Sequence, residues 1–127
     1  YGDGLIETYN LENSEKAILA LGSICSTIRV VIDELKKKGE NIALIKLKTF
    51  RPFPNEELKI ATRNIKNLAV IDRAFSTGNA GPVFIETKAA LPKIKISNFI
   101  CGLGGKDITQ EDILKIIQNI EKDLWIL

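Results

Sequence analysis

Residues 16–23 read Lys16-Ala17-Ile18-Leu19-Ala20-Leu21-Gly22-Ser23, and they lead into Ile24, Ile28, Val31 and Leu35 at helical spacing, then Lys36-Lys37-Lys38-Gly39. This stretch decides the fold class. A compact apolar run over 16–21 is what a strand covered on both faces requires. Gly22 breaks the run, and Ser23 offers an N-cap for the helix that follows. Lys36, Lys37 and Lys38 fall where the helix dipole favours cations, and Gly39 can close the helix in a left-handed conformation. The lysine run therefore reads as a helix end rather than a binding patch.

The same alternation extends in both directions. Residues 42–47 form the next strand, followed by Phe50-Arg51-Pro52-Phe53-Pro54. These prolines forbid a continuing central strand, whereas Pro54 suits the first turn of a helix containing Glu56, Glu57, Leu58, Ala61 and Ile65. The acidic pair belongs at the positive end of that helix and diverges too far for paired acid–base work. Residues 68–71 give a third apolar strand ending at Asp72 and Arg73. The loop over 76–82 enters a helix over 83–91 that Pro92 stops. Its glycines match neither a P-loop nor a dinucleotide fingerprint, so a plain turn is the stronger reading. Ile94, Ile96 and Phe99 alternate with polar neighbours in a final strand expected near the sheet edge. Thr109 caps the last helix, with Asp112 placed for a capping box, and Ile113, Ile116, Ile117, Ile120 and Leu124 form its apolar stripe. Trp125 is expected to anchor against the same core or against a subunit. Residues 5–9 form a short, partly polar extended segment.

Bulk properties exclude several classes. The 127 residues carry 18 basic and 16 acidic side chains, a net charge of +2, so no strong field favours nucleic acid or a membrane surface. No apolar run reaches the roughly 20 residues of a membrane span, and no secretory leader opens the chain. The expectation is a soluble, cytoplasmic protein without nucleic-acid or membrane partners. Cys25 and Cys101 are too far apart for a Cys-x-x-Cys ligand pair, and there is no histidine. Both cysteines read as small buried hydrophobes, no metal site is expected, and a Ser–His or Cys–His nucleophile is excluded. The start at Tyr1, followed by a dozen residues with no self-contained element, reads as a fragment of a longer chain, with 1–127 as a single domain.

Strands alternating with helices specify an α/β sandwich, with helices on both faces of a mostly parallel sheet. Ligands on such sheets sit at the carboxyl ends of the strands, where the strand order reverses. Here those ends carry Gly22-Ser23, residues 49–51, Asp72-Arg73 and residues 102–106. Ser23, Arg51, Asp72, Arg73 and Lys106 are therefore the ligand or interface candidates. One reading makes the chain an anion or small-ligand module built on Ser23, Arg51, Arg73 and Lys106. The blander one pairs Arg51 and Arg73 with Asp72 or with glutamates.

Four motifs in order carry a family resemblance. They are Ala20-Leu21-Gly22-Ser23, Phe50-Arg51-Pro52-Phe53-Pro54, Val70-Ile71-Asp72-Arg73 and Gly102-Leu103-Gly104-Gly105-Lys106-Asp107-Ile108-Thr109. Together they resemble the C-terminal part of the alpha chain of pyruvate:ferredoxin oxidoreductases, or pyruvate synthases, across nearly the whole chain. Residues 76–82 match more loosely, and Lys106 stands where the family commonly has arginine, keeping the charge but losing a bidentate donor. The resemblance implies a fold like the transketolase C-terminal domain: a three-layer α/β/α sandwich with a five-stranded mixed sheet of order 1-3-2-4-5 and strand 1 antiparallel. The switch point then falls between the strands ending at Leu21 and Ile71, bringing Ser23 and Arg73 toward one crevice. It also implies a whole enzyme that converts pyruvate, coenzyme A and oxidised ferredoxin to acetyl-CoA, CO2 and reduced ferredoxin, and that can run in reverse. Thiamine diphosphate, Mg and iron–sulfur clusters are implied for other domains or subunits, and no catalytic, cofactor-binding or metal-binding residue carries over to this domain. Its implied role is to buttress the thiamine domain and contribute to the subunit interface. The Phe50–Pro54 motif tilts the substrate toward pyruvate over branched-chain 2-oxoacids. The C-terminal domain of another thiamine-dependent 2-oxoacid enzyme shares the fold, but the motif at 102–109 disfavours it.

Overall fold

The computed structural model describes residues 4–49, 52–73, 82–101, 107–120 and 124–126. In chain order the elements are β1 (Ile6–Tyr9), β2 (Lys16–Leu21), α1 (Ile24–Lys37), β3 (Ile42–Leu47), α2 (Asn55–Ala61), β4 (Asn67–Arg73), α3 (Pro82–Ala90), β5 (Lys95–Cys101), α4 (Gln110–Gln118) and β6 (Leu124–Ile126). Among the described residues the sheet has six strands in the order β1-β3-β2-β4-β5-β6. Only β1 runs antiparallel, pairing with β3 from Ile6↔Leu47 to Tyr9↔Leu44; the remaining neighbours are parallel. The expected order 1-3-2-4-5 is present.

Alternation along each strand feeds two separate cores. Ile18 and Ala20 of β2, Ile42 and Leu44 of β3, Ala69 and Ile71 of β4 and Phe99 of β5 pack under α1 and α4. Ala17 and Leu19, Ala43, Ile45 and Leu47, and Leu68 and Val70 turn the other way, against Leu58 and Ala61 of α2 and Val83 of α3. Ile18, Leu19, Ala43, Ile45, Leu68 and Val70 are all fully buried. That is why the sequence of these strands is continuously apolar rather than alternating. Each buried Leu or Ile contributes about 1.5–3 kcal/mol by removal from water.

Helix ends follow local chemistry. Helix α1 closes in a Schellman motif: the Glu40 N–H donates to the Leu35 carbonyl at 3.0 Å and the Gly39 N–H to that of Lys36 at 3.1 Å. Gly39 makes this possible with φ of +85°. At α4, Thr109 Oγ1 accepts from the Asp112 N–H at 3.2 Å while Asp112 Oδ2 accepts from the Thr109 N–H at 3.0 Å, the expected capping box.

Four local expectations are corrected. Ser23 occupies the N-cap position of α1 but has helical dihedrals (φ −67°, ψ −20°), so its hydroxyl makes no capping bond. Helix α2 stops at Ala61; Thr62 turns its hydroxyl back to the Leu58 carbonyl at 2.7 Å, and Ile65 enters the core from the turn beyond. Helix α4 stops at Gln118, because the Asn119 side chain donates to the Lys115 carbonyl at 2.7 Å and closes the last turn. Leu124 therefore belongs to β6, not to the helical stripe. As β6 pairs with β5 from Asn98↔Leu124 to Ile100↔Ile126, β5 is an interior strand.

Substituting Gly39→Ala should destabilise the domain by about 1 kcal/mol from backbone strain alone, since an added Cβ meets nothing within 4 Å. Chemical denaturation of the two proteins measures this directly, and Gly39→Asn should cost less because Asn tolerates the left-handed region.

Candidate ligand and interface site at the strand ends

The connection from β2 through α1 leads to β3 on one side, and that from β4 through α3 leads to β5 on the other. The switch point therefore falls between β2 and β4, as expected. These strands are paired as far as Leu19↔Val70, so Ser23 and Arg73 both lie at carboxyl ends of adjacent strands. Ser23 is exposed there. Arg73 is the last residue of β4, opposite Cys101; its side chain, together with Arg51 and Lys106, lies outside the described residues. Of the five candidates, Ser23 and Asp72 are the two whose side chains are described.

Asp72 is placed in detail, and it points inward. It has the same strand parity as Leu68 and Val70, which puts its carboxylate on the α2/α3 side, where it is 2 % exposed. Oδ1 accepts the Val83 N–H at 2.9 Å, and Oδ2 accepts the Phe84 N–H at 3.1 Å and the Asn98 Nδ2 at 2.9 Å. Asn98 also donates to the Val70 carbonyl at 3.3 Å. One carboxylate thus fastens the N-terminus of α3 to β4 and β5. The positive end of a helix is a ready anion site, and here a side chain from the chain itself fills it. Among the described groups, the partners of Asp72 are these backbone and amide donors; the expected pairing of Arg51 and Arg73 with Asp72 or with glutamates lies outside the described residues. Sequence reasoning missed Asn98 as a partner, although a lone amide inside an apolar strand was a usable signal.

The other buried polar groups are similarly engaged. Thr87 donates to the Val83 carbonyl at 2.7 Å, Ser97 donates to the Ile120 carbonyl, and Ser14 donates to the Asn10 carbonyl at 2.7 Å. Among the described residues no buried side-chain nitrogen or oxygen lacks a partner. On the surface, the Tyr9 phenol donates to Asp33 at 2.5 Å, which holds its pKa above the ordinary value, and Arg29 lies over its ring. This cluster ties the edge strand β1 to α1.

Residues 14–113 match the family described as pyruvate:ferredoxin oxidoreductase core domain II. The chain belongs to that family. It is 46 % identical to the pyruvate synthase subunit PorA of Methanocaldococcus jannaschii, over 99 % of this chain and 34 % of that protein. It is 38 % identical to the ketoisovalerate oxidoreductase subunit VorA of Pyrococcus furiosus, over 93 % of this chain and 31 % of that one. The domain thus spans about a third of the length of the curated relatives it matches. Among solved structures, the 2-oxoglutarate:ferredoxin oxidoreductase of Magnetococcus marinus aligns with a TM-score of 0.67 at 18 % identity, covering 92 % of this chain and 20 % of that one. At that identity the likeness speaks to the fold.

Cys25 opens α1 beneath the switch point, but it is 3 % exposed and its thiol faces the Ala20 carbonyl at 3.8 Å. Burial pushes its pKa up, with Lys46 and Arg29 opposing, which is the environment of an inert thiol rather than a nucleophile. The core domain should therefore label at Cys25 only as fast as it opens, a rate read by mass-mapped alkylation. Because the folded pKa is raised, the thiol's contribution to stability is fully present below the ordinary thiol range. It is lost as pH rises through the folded value. Denaturation across alkaline pH should show a shallower decline for Cys25→Ala. Removing the α3 anchor with Asp72→Ala should cost about 3 kcal/mol, as helix N–H groups and the Asn98 amide lose their shared acceptor in a buried site. Asp72→Asn should cost less, and denaturation midpoints rank the two.

Proposed function

We propose that this domain is the structural and subunit-interface part of a pyruvate:ferredoxin oxidoreductase, and that 1–127 forms one unit of a longer alpha chain. The whole enzyme converts pyruvate, coenzyme A and oxidised ferredoxin to acetyl-CoA, CO2 and reduced ferredoxin in the cytoplasm. The observation that carries the architectural role is the Asp72 network. The carboxylate at the end of β4 is engaged in holding α3 to β4 and β5, where a catalytic carboxylate would be turned toward a substrate. Pyruvate is favoured over a branched-chain 2-oxoacid by the higher identity to the pyruvate synthase subunit than to the ketoisovalerate one.

Thiamine diphosphate supplies the carbanion chemistry of such an enzyme when bound. Among the described residues no acidic cluster could hold its magnesium, and the α3 N-terminus is already capped by Asp72. The chain's own contribution is then positional. Its two-faced core gives a rigid body on which other domains can rest, and Ser23, Arg51, Arg73 and Lys106 are its candidates for contact at the strand ends.

Reduction of a viologen by the assembled complex, dependent on pyruvate and coenzyme A, tests this reading. Turnover should be present in the complex, higher with pyruvate than with 2-ketoisovalerate, and absent from the isolated 1–127 chain. Turnover by the isolated chain would falsify the architectural role. Within the complex, Asp72→Ala should shorten the thermal half-life while leaving the KM for pyruvate unchanged.

A further inference from the structure

At the amino-terminal end of the sheet, away from the switch point, α2 and its following turn face the end of α3 across a groove of about 690 Å³. Ile65 and Leu91 form its buried apolar floor, while the exposed Lys59, Arg63 and Lys93 stand on its rim. Its described lining contains no acidic residue.

The helix faces beside the groove are unusual for a water-facing surface. Helix α3 reads Pro82-Val83-Phe84-Ile85-Glu86-Thr87-Lys88-Ala89-Ala90, with Val83 buried beneath it and Ile85 56 % exposed on the outside. Ile85 lies one turn before Ala89, which is itself part of the groove. On α2, Ile60 is 43 % exposed between Lys59 and the turn that carries Arg63. Lys88 also faces solvent on α3, and Ile85 and Ala89 are the exposed apolar part of its outer face. Here the inner side packs on the sheet, and the outer side faces solvent beside a cationic rim.

We propose that this groove docks an acidic segment of a partner subunit, one whose apolar side chains sit over Leu91, Ile65 and Ile85 while its carboxylates meet Lys59, Arg63 and Lys93. The proposal rests on the reading of the domain as a subunit-interface part of a multi-subunit oxidoreductase. Charge complementarity selects the occupant: the groove's described lining holds three cations and no acid, with Glu12 and Glu15 on the adjoining groove that Arg63 shares. The contact of Lys59 with Glu56, at 3.6 Å between exposed side chains, is of the weak kind that exchanges readily. A second copy of the chain fits worse, since a two-fold interface through this patch would set the three cations against their own equivalents.

Zero-length carbodiimide coupling on the unmodified assembled complex, followed by peptide mapping, tests the occupant. Coupling of Lys59 or Lys93 to Asp or Glu of a partner subunit is the expected result. Coupling only to another copy of this chain, or none at either lysine, would overturn the proposal. In parallel, the charge-reversed K59E/R63E/K93E alpha chain should associate about tenfold or more weakly with its partner subunits at low salt. It should also lose most of the weakening that the natural complex shows as salt rises from ~0.05 to ~0.5 M. Unchanged association of a folded variant would equally count against the groove. Pyruvate-dependent viologen reduction by the unmodified complex separates the two ideas: with turnover intact and no partner coupling, only the docking surface fails; without turnover, the functional reading fails whatever the coupling shows.

Discussion

Burial of the central sheet on both faces is the constraint from which the rest of this domain follows. Strands β2, β3 and β4 have no solvent side, so each inward position must be apolar or must bring its own hydrogen-bonding partners. Most positions take the first course, as Ile18, Leu19, Ile45 and Val70 do. Asp72 and Asn98 take the second. Their shared bond, extended to the Val83 and Phe84 N–H groups, turns a burial problem into the joint between β4, β5 and α3. A charged group is tolerated there because it completes a helix N-terminus that would otherwise carry unsatisfied donors into the core.

How much of this was legible in the chain depends on the range of the interaction involved. The β2–α1–β3 unit is written locally: an apolar run, a glycine break, a helical stripe and a terminal glycine occur within a few dozen residues and agree with one another. The capping box at Thr109 and Asp112 is likewise local. Strand β6 is not. Leu124 falls at helical spacing from Ile120, which extends the expected stripe to it, whereas the helix ends because Asn119 bonds its own preceding turn. Only pairing with β5 makes a strand of three residues worth forming. Ser23 shows the opposite failure: the right residue type stands at the right position, but the backbone is already helical and the hydroxyl has no orphan N–H to meet.

The strand-end candidates illustrate the difference between locating a region and reading a side chain. Topology places Ser23 and Arg73 at neighbouring strand ends, and that much follows from counting crossovers. What Asp72 does there follows from parity. It stands two residues beyond Val70 and four beyond Leu68, both inward on the α2/α3 side, and an acid at such a position must find its donors inside the fold. Spacing read along the strand would have separated it from Ser23, which is exposed. Its partner Asn98 needed the β4–β5 register, Val70↔Asn98, which no local pattern contains.

The four helices are not equivalent, and the inequality bears on how the domain is used. Helix α1 turns mostly charged residues to solvent, with Lys37 and Glu34 paired at 3.5 Å and Asp33 holding Tyr9, and Val30, 44 % exposed, standing among them. Helix α3 carries apolar side chains on both sides of its axis, yet its docking to the sheet is already secured by Val83 from below and by Asp72 at its N-terminus. Ile85 joins neither core cluster and stays 56 % exposed. That exposed part gains nothing from folding. A face made apolar without serving the interior, set beside a cationic groove, has the composition of an interface core with its polar rim. The carboxyl ends of β2 and β4 and the α2/α3 groove lie at opposite ends of the sheet, so a contact made at one leaves the other open.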